Sequence, residues 1–109
     1  MKEKYSLIFS TFPSKEKAKE VSRILVEENL IACSTIIPAH LSIYKWEGKV
    51  QEDKEFLCIF KTKEKNYEKV EKRLKEIHPY KVPEILMVEV KKGFKEYLKW
   101  IDELIGEKL

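Results

Sequence analysis

Two histidines and two cysteines are the residues of this sequence with the widest range of chemistry. Cys33 and Cys58 lie in apolar runs, without a Cys-x-x-Cys spacing or a neighbouring histidine. We therefore expect two buried thiols, and neither a zinc site nor a redox pair. Histidine is the commonest metal ligand, which makes His78, and secondarily His40, a candidate for metal binding. A structural role for His78 stays open, because a histidine before a proline at a helix end can bond a nearby carbonyl group.

The sequence carries none of the motifs of the common enzyme classes. It has no G-x-S-x-G, no P-loop and no H-E-x-x-H, and no pair of carboxylates stands at a spacing that indicates acid–base catalysis. The sequence therefore predicts a protein that is not an enzyme.

The composition is that of one small globular domain, residues 1–109. The net charge of +3 comes from interleaved acidic and basic residues, and arginine occurs only at Arg23 and Arg73. This pattern argues against a nucleic-acid partner. The excess of Lys and Glu over Asn and Gln is typical of heat-adapted proteins and predicts a thermostable chain.

The apolar segments are too short for a membrane or a secretion signal. No apolar run approaches the ~18 residues that span a bilayer, and the stretch near the N-terminus leads directly into a charged segment. We therefore expect a cytoplasmic protein without a membrane partner.

Apolar periodicity and turn residues predict four strands and three helices. The strands cover residues 5–12, 30–46, 50–62 and 84–90, and the helices cover 15–29, 65–77 and 94 to about 108. Ser14 is the predicted N-cap of the first helix, Pro38 predicts a bulge or an edge position, and Glu47-Gly48-Lys49 predicts a hairpin turn. The order βαββαβ plus a C-terminal helix predicts a ferredoxin-like α+β fold, with both main helices on one face of an antiparallel sheet.

The predicted strands are apolar on both faces. Phe56, Cys58 and Phe60 point to one face of the sheet, while Leu57 and Ile59 point to the other. Two helices can cover only one face, and the C-terminal helix is small. A second apolar face of this size is typical of an interface.

The central hairpin is long for a domain of this size. Its arms of about 13–17 residues would reach roughly 45–55 Å if extended, whereas the radius of gyration of such a domain is about 13 Å. The tip carries Tyr44, Trp46 and Val50, residues suited to anchoring an interface. We expect a closed homo-oligomer in which the hairpin reaches a neighbour. A hairpin bent back at Pro38 onto its own sheet is the alternative.

Six motifs follow one another along nearly the whole chain. They are STFP at 10–13, LIAC at 30–33, IIP with YKWEGKVQEDKE between 36 and 55, FKT at 60–62, HPYKVPE at 78–84 and YLKWI at 97–101. Together they resemble the CutA family of divalent-cation tolerance proteins. The resemblance implies a ferredoxin-like subunit, a tight cytosolic homotrimer, an association with tolerance of divalent metals, and copper binding. It also implies a likeness to PII signal proteins, which place ligands in clefts between subunits.

The resemblance also suggests site residues. One branch of the family binds metal through a cysteine, a histidine and a glutamate, and the matching positions here are Ser10, Ile77 and Glu84. Only the glutamate is kept, and His78 is the adjacent imidazole that could join it. Glu84 and His78 are therefore the predicted ligands for copper or another divalent cation, with no metal required for folding. Pairing of Glu84 with a lysine, or a role at a strand end, is the alternative.

A second set of residues is predicted to line an intersubunit cleft. Aromatic walls with one fixed charge suit a small anionic ligand, and the candidates are Tyr44, Trp46, Glu47, Lys61 and Tyr80. The alternative is that Tyr44 and Trp46 only pack at an interface and Lys61 is solvated.

Three functions remain open from the sequence. The first is a homotrimeric metal-tolerance protein that binds divalent cations. The second is a PII-like sensor or adaptor whose cleft binds a small anion or a partner protein. The third is a structural or anchoring trimer without a ligand.

Overall fold

The computed structural model describes residues 3–105, apart from the side chains of residues 39 and 40. The His40 side chain and the predicted helix end near residue 108 lie outside this description. The elements are β1 (Tyr5–Phe12), α1 (Lys15–Glu27), β2 (Cys33–Trp46), β3 (Lys49–Lys63), α2 (Tyr67–Ile77), β4 (Leu86–Val90) and α3 (Lys95–Ile105), with a 3-10 turn at Glu64–Asn66 before α2.

The four strands form one sheet in the order β2-β3-β1-β4, and every neighbouring pair is antiparallel. One face of this sheet packs against α1 and α2 to form the main core, which includes Ile8, Phe12, Cys58 and Phe60 from the strands. We call it the covered face. The arrangement confirms the predicted ferredoxin-like α+β fold and the burial of Cys58. The predicted burial of Cys33 is wrong, because its thiol is only partly buried and lies 3.6 Å from the Tyr97 hydroxyl.

Local sequence signals explain most of the element boundaries. The Ser14 hydroxyl accepts a hydrogen bond from the Lys17 N–H at 3.1 Å, which confirms it as the N-cap of α1. The β2–β3 register shifts between Ile37 and His40, which confirms the bulge expected at Pro38. Strand β4 begins at Leu86, two residues later than predicted.

The second face of the sheet is only partly covered, and we call it the open face. Helix α3 covers one end of it, where Ile101 and Ile105 pack with Ala32 and Tyr5. Beyond α3 the face keeps exposed apolar side chains, including Ile37, Leu86 (58% exposed) and Val88. The predicted apolar character of both faces is therefore confirmed in the subunit.

The β2–β3 hairpin extends beyond the rest of the sheet. Strand β1 pairs with β3 only as far as Phe12 and Phe56, while the hairpin continues to Trp46 and Lys49. The two-residue turn at Glu47 and Gly48 has positive φ at both positions, as a tight hairpin turn requires. The chain is consequently 47 Å long, with a radius of gyration of 14.7 Å. This length confirms that the hairpin tip leaves the compact part of the domain.

Candidate functional site

A cleft of about 530 Å³ lies between the base of the projecting hairpin and the segment that follows α2. Its volume is within the range of sites for small molecules. The lining combines aromatic, aliphatic, hydroxyl and charged side chains, from Thr11, Ser42, Ile43, Tyr44, Trp46, Asp53, Glu55, Tyr80, Lys81, Val82 and Glu84.

Two tyrosines each hold a carboxylate in this cleft. The Tyr80 hydroxyl donates a hydrogen bond of 2.6 Å to Glu55 Oε2, and the Tyr44 hydroxyl donates to Asp53 Oδ2. Glu55 is only 8% exposed, so its bond to Tyr80 satisfies an acceptor that has little access to water. These bonds tie β2 to β3 within the hairpin and tie the hairpin to the segment after α2.

The pKa values of the two tyrosines are raised by burial and by the neighbouring carboxylates. Burial raises the pKa of Tyr80 well above its usual value, and the hydrogen bond to Glu55 raises it further. The hydrogen bond to Asp53 is the main reason that the pKa of Tyr44 is raised. Both phenols therefore stay protonated and act as donors at neutral pH.

The charges of the lining favour a cation. Three carboxylates, Asp53, Glu55 and Glu84, face a single ammonium group, that of Lys81. An anion in the cleft would lie among like charges, which is unfavourable in a partly desolvated site. The geometry of the described chain thus gives no support to the predicted small anionic ligand.

His78 follows α2 and lies outside the lining of the cleft. Its Nδ1 accepts a hydrogen bond from the Tyr80 N–H at 3.1 Å, so the neutral ring carries its proton on Nε2, which donates to Ser10 Oγ at 3.0 Å. The ring stacks on Phe12 with centroids 4.3 Å apart. Burial lowers the pKa of His78 from 6.5 to about 4. The imidazole is therefore neutral, and both of its nitrogens already have partners.

Within the described side chains, Glu84 and His78 do not belong to a group of metal-ligating residues. Among the described side chains of residues 3–105, no group of three His, Cys, Asp or Glu could hold a metal ion. His78 would have to give up a hydrogen bond to coordinate one. Ser10, at the position of the cysteine in the metal-binding branch, is the hydrogen-bond partner of His78 instead. Glu84 is exposed and lines the cleft.

The structure brings four of the predicted site residues together and separates three. Tyr44, Trp46, Tyr80 and Glu84 line the same cleft, whereas Lys61, Glu47 and His78 lie outside its lining. Lys61 is opposite Leu7 and Cys33 within the paired sheet, and its ammonium group donates to the Thr35 hydroxyl. Glu47 is an exposed residue of the hairpin turn.

Asp53 and Glu55 are the functional candidates that the sequence reasoning missed. Their alternate spacing on β3, which puts both carboxylates on one face of the strand, was the available signal. Their partners lie 9 and 25 residues away in sequence, so the pairs themselves appear only in the folded chain.

None of the helices within residues 3–105 combines the length and apolarity needed to cross a membrane.

Comparison with known proteins assigns this sequence and fold to a family. The profile of the CutA1 divalent ion tolerance protein family matches residues 6–104. The divalent-cation tolerance protein CutA of Thermus thermophilus is 43% identical over 100 residues, which are 92% of this chain and 97% of the relative. These descriptions name tolerance of cations and no catalysed reaction.

Solved structures of CutA proteins resemble this fold. The crystal structure of CutA1 from Oryza sativa superimposes with a TM-score of 0.93 at 36% identity, covering 96% of each chain. The structure described as the periplasmic divalent cation tolerance protein CutA from Archaeoglobus fulgidus superimposes with a TM-score of 0.90 at 37% identity, covering 93% of this chain and 98% of that one. The profile match and these likenesses over almost the full length show that the chain belongs to the CutA1 divalent ion tolerance protein family.

Proposed function

We propose that this chain functions in divalent-cation tolerance as a homotrimer whose clefts attract cations. The names of its relatives describe divalent-cation tolerance. The observation that carries the proposal for this chain is the charge of the cleft, where three carboxylates outnumber one ammonium group.

The open face supports the assembly. An isolated subunit would leave Leu86, Val88 and Ile37 in water, and its hairpin would expose Ile43 and Trp46 in addition. Patches of this kind on soluble proteins are commonly closed by a partner. A closed ring of identical copies covers such a face on every subunit without leaving an open end.

Light scattering tests the assembly directly. We expect about three times the subunit mass, and Leu86→Asp should lower this mass because it puts a charge on the open face. Val26→Asp is the matched control, since Val26 is an exposed apolar residue of α1. A monomeric wild-type protein, or an equal effect of the two substitutions, would contradict the trimer.

Copper binding by Glu84 and His78 is the finer prediction. Because both ring nitrogens of His78 have partners, we expect Glu84 to be the ligand that a metal reaches first, with further ligands from another copy. Titration calorimetry with copper(II) should show saturable heat that Glu84→Gln weakens. Glu52→Gln, the loss of an exposed carboxylate on the same hairpin, is the control. Equal binding by all three proteins would remove Glu84 from the site.

The location and stability of the chain stay predictions. We expect it to act in the cytoplasm, although one relative is described as periplasmic, and cell fractionation would decide. We also expect a melting temperature above the ~45–65 °C that is usual for mesophilic domains. A melting temperature within that range would contradict the expectation from the excess of Lys and Glu.

A further inference from the structure

We propose that the outer side of α3 is the docking surface for the β2–β3 hairpin of another copy of this chain. The inference rests on the homotrimer proposed above and names the contact through which one copy reaches the next. Three observations carry it: two accessible apolar surfaces, the charges beside them, and their places at opposite ends of the chain.

Helix α3 has a second apolar side, which stays accessible in the single chain. Its inner side packs against the sheet through Ile101 and Ile105. Tyr97, Trp100 and Leu104 are spaced by three and four residues, so they form a stripe along a neighbouring side of the helix. Each of the three is between 37% and 41% exposed. We call these three residues the α3 stripe.

The α3 stripe continues the open face of the sheet. The Tyr97 hydroxyl lies 3.6 Å from the Cys33 thiol, at the start of β2. Alternate residues of a strand share a face, so Cys33 lies on the same face as Ile37, which is 41% exposed. A copy that covers the open face, as the proposed homotrimer requires, therefore lies beside the α3 stripe as well.

The charges beside the α3 stripe are acidic. Glu96 and Glu103 are four and three positions from Trp100, which puts them next to the stripe on the helix surface. Lys95 and Lys99 lie farther round the helix, beyond the two carboxylates. An anionic membrane surface would meet these carboxylates first, whereas an apolar surface that carries lysines complements the stripe in both polarity and charge.

The β2–β3 hairpin carries such a surface. The register pairs Leu41 with Lys54 and Lys45 with Val50, so these four side chains share one face of the hairpin. Leu41 is 56% exposed and Val50 is 68% exposed, and none of the four residues lines the cleft. Glu52 is the one acid at these alternate positions, so the lysines outnumber it. This face offers the aliphatic side chains and the positive charge that the α3 stripe would accept.

The two surfaces lie at opposite ends of the chain. Asp102 of α3 pairs with Lys63 at 3.1 Å, at the end of β3, whereas Val50 lies near the hairpin tip. Val50 and Lys63 stand 13 residues apart on β3, which is about 43 Å along an extended strand. The hairpin therefore does not reach α3 of its own chain. A contact between different surfaces of two copies is heterologous, and it forms a ring when the rotation between copies closes.

Light scattering in a urea series, at a fixed protein concentration, tests the contact on the full chain. Val50→Asp puts a charge into the apolar contact and should lower the urea concentration at which half of the trimeric mass is lost by about 0.5 M or more. Val50 is 68% exposed, so this variant should fold like the wild type, and circular dichroism checks that it does. Val26→Asp makes the same change on the exposed side of α1 and should leave the midpoint unchanged.

Charge reversal tests the two partners together, at an ionic strength of about 0.1 M. Lys54→Glu and Glu96→Lys each place like charges across the contact and should each lower the midpoint. The double variant should recover at least half of the summed loss, because it restores opposite charges. Lys54→Glu with Glu27→Lys restores the same net charge from an exposed position of α1 and should recover nothing.

The possible results separate this contact from the homotrimer itself. Equal midpoints for Val50→Asp and Val26→Asp, or equal recovery by Glu96→Lys and Glu27→Lys, would overturn the contact. If Leu86→Asp lowers the mass while Val50→Asp leaves the midpoint unchanged, the homotrimer stands and the hairpin contact falls. A monomeric wild-type protein would remove both.

Discussion

The two faces of the sheet are built by the same strands and yet have different environments. Ile8 and Phe60 on the covered face are fully buried under α1 and α2. Leu86 and Val88 on the open face are largely exposed, and α3 covers only one end of that face. The apolar side chains on both faces thus follow from the strand sequences, whereas the positions of the helices determine which face is buried within a single chain.

The largest contrast between the faces should appear in matched Leu→Ala substitutions. Leu74 of α2 is fully buried over the covered face, so Leu74→Ala should lower the free energy of unfolding by about 2–5 kcal/mol, measured by urea denaturation. Leu86→Ala removes a side chain that is 58% exposed in the single chain, so any cost above about 1 kcal/mol would come from contacts with another copy.

A large loss of stability in Leu86→Ala has two possible explanations, which the molecular mass in solution distinguishes. A cost equal to that of Leu74→Ala, together with loss of the trimeric mass, would show that another copy closes the open face. An equal cost without any change of mass would contradict the difference between the faces.

One carboxylate of α3 adds polar contacts to its apolar packing on the open face. Asp102 accepts a hydrogen bond from the Tyr5 hydroxyl at 2.9 Å and pairs with the buried Lys63 ammonium at 3.1 Å. Asp102→Ala would leave that ammonium with Glu3 at 3.7 Å, and we expect a loss of about 1.5–3 kcal/mol in thermal unfolding. Glu103→Ala, at the next and exposed position of α3, should change stability by less than about 0.5 kcal/mol. Equal effects would mean that this ion pair does not fix α3.

Removing single hydroxyls tests how the hairpin is tied to the domain. Tyr80→Phe leaves the buried Glu55 without its donor and should cost about 1 kcal/mol in urea denaturation. Tyr44→Phe removes a bond between exposed residues of the hairpin and should change stability by less than about 0.5 kcal/mol. A larger cost for Tyr44→Phe than for Tyr80→Phe would show that the bond within the hairpin, and not the bond to the segment after α2, stabilises the cleft.

Because of His78, the stability of the folded chain should fall at acidic pH. Its pKa is about 4 in the folded chain and 6.5 without the surrounding structure, so the unfolded chain takes up the proton first as pH falls. The stability that depends on a neutral His78 is complete above pH 6.5 and is lost between pH 6.5 and 4. The stability difference between wild type and His78→Asn should therefore shrink as the pH of urea denaturation falls from 7 to 5. A constant difference would mean that the folded ring is not held neutral.

Sequence patterns predicted the elements well because the signals are local. The spacing of Ala18, Val21 and Leu25 marks one face of α1, and Ser14 gives its start. The positions of Pro38 and Gly48 mark the bulge and the turn of the hairpin. Each of these features depends on residues within a few positions of one another, so no knowledge of the folded chain was needed.

The site residues were predicted less completely than the helices and strands, because the side chains that meet in a site are set by their positions along paired strands. Lys61 and Tyr44 were predicted to line one intersubunit cleft. Within a single chain Lys61 lies eight residues from Asp53, the partner of Tyr44, which is about 26 Å along an extended strand. The aromatic residues were found because their type alone suggests a binding surface. Asp53 and Glu55 have no such distinction among the many charged residues of the chain.

Periodicity and turn chemistry act over a few residues, so the helices, the strands, the projecting hairpin and the apolar character of both sheet faces follow from the amino-acid order alone. The folded chain was needed to show that burial keeps His78 neutral beside Ser10 and that Tyr80 bonds to Glu55, since these pairs lie 68 and 25 residues apart. Those contacts depend on how the segment after α2 returns to the sheet, which no local pattern specifies.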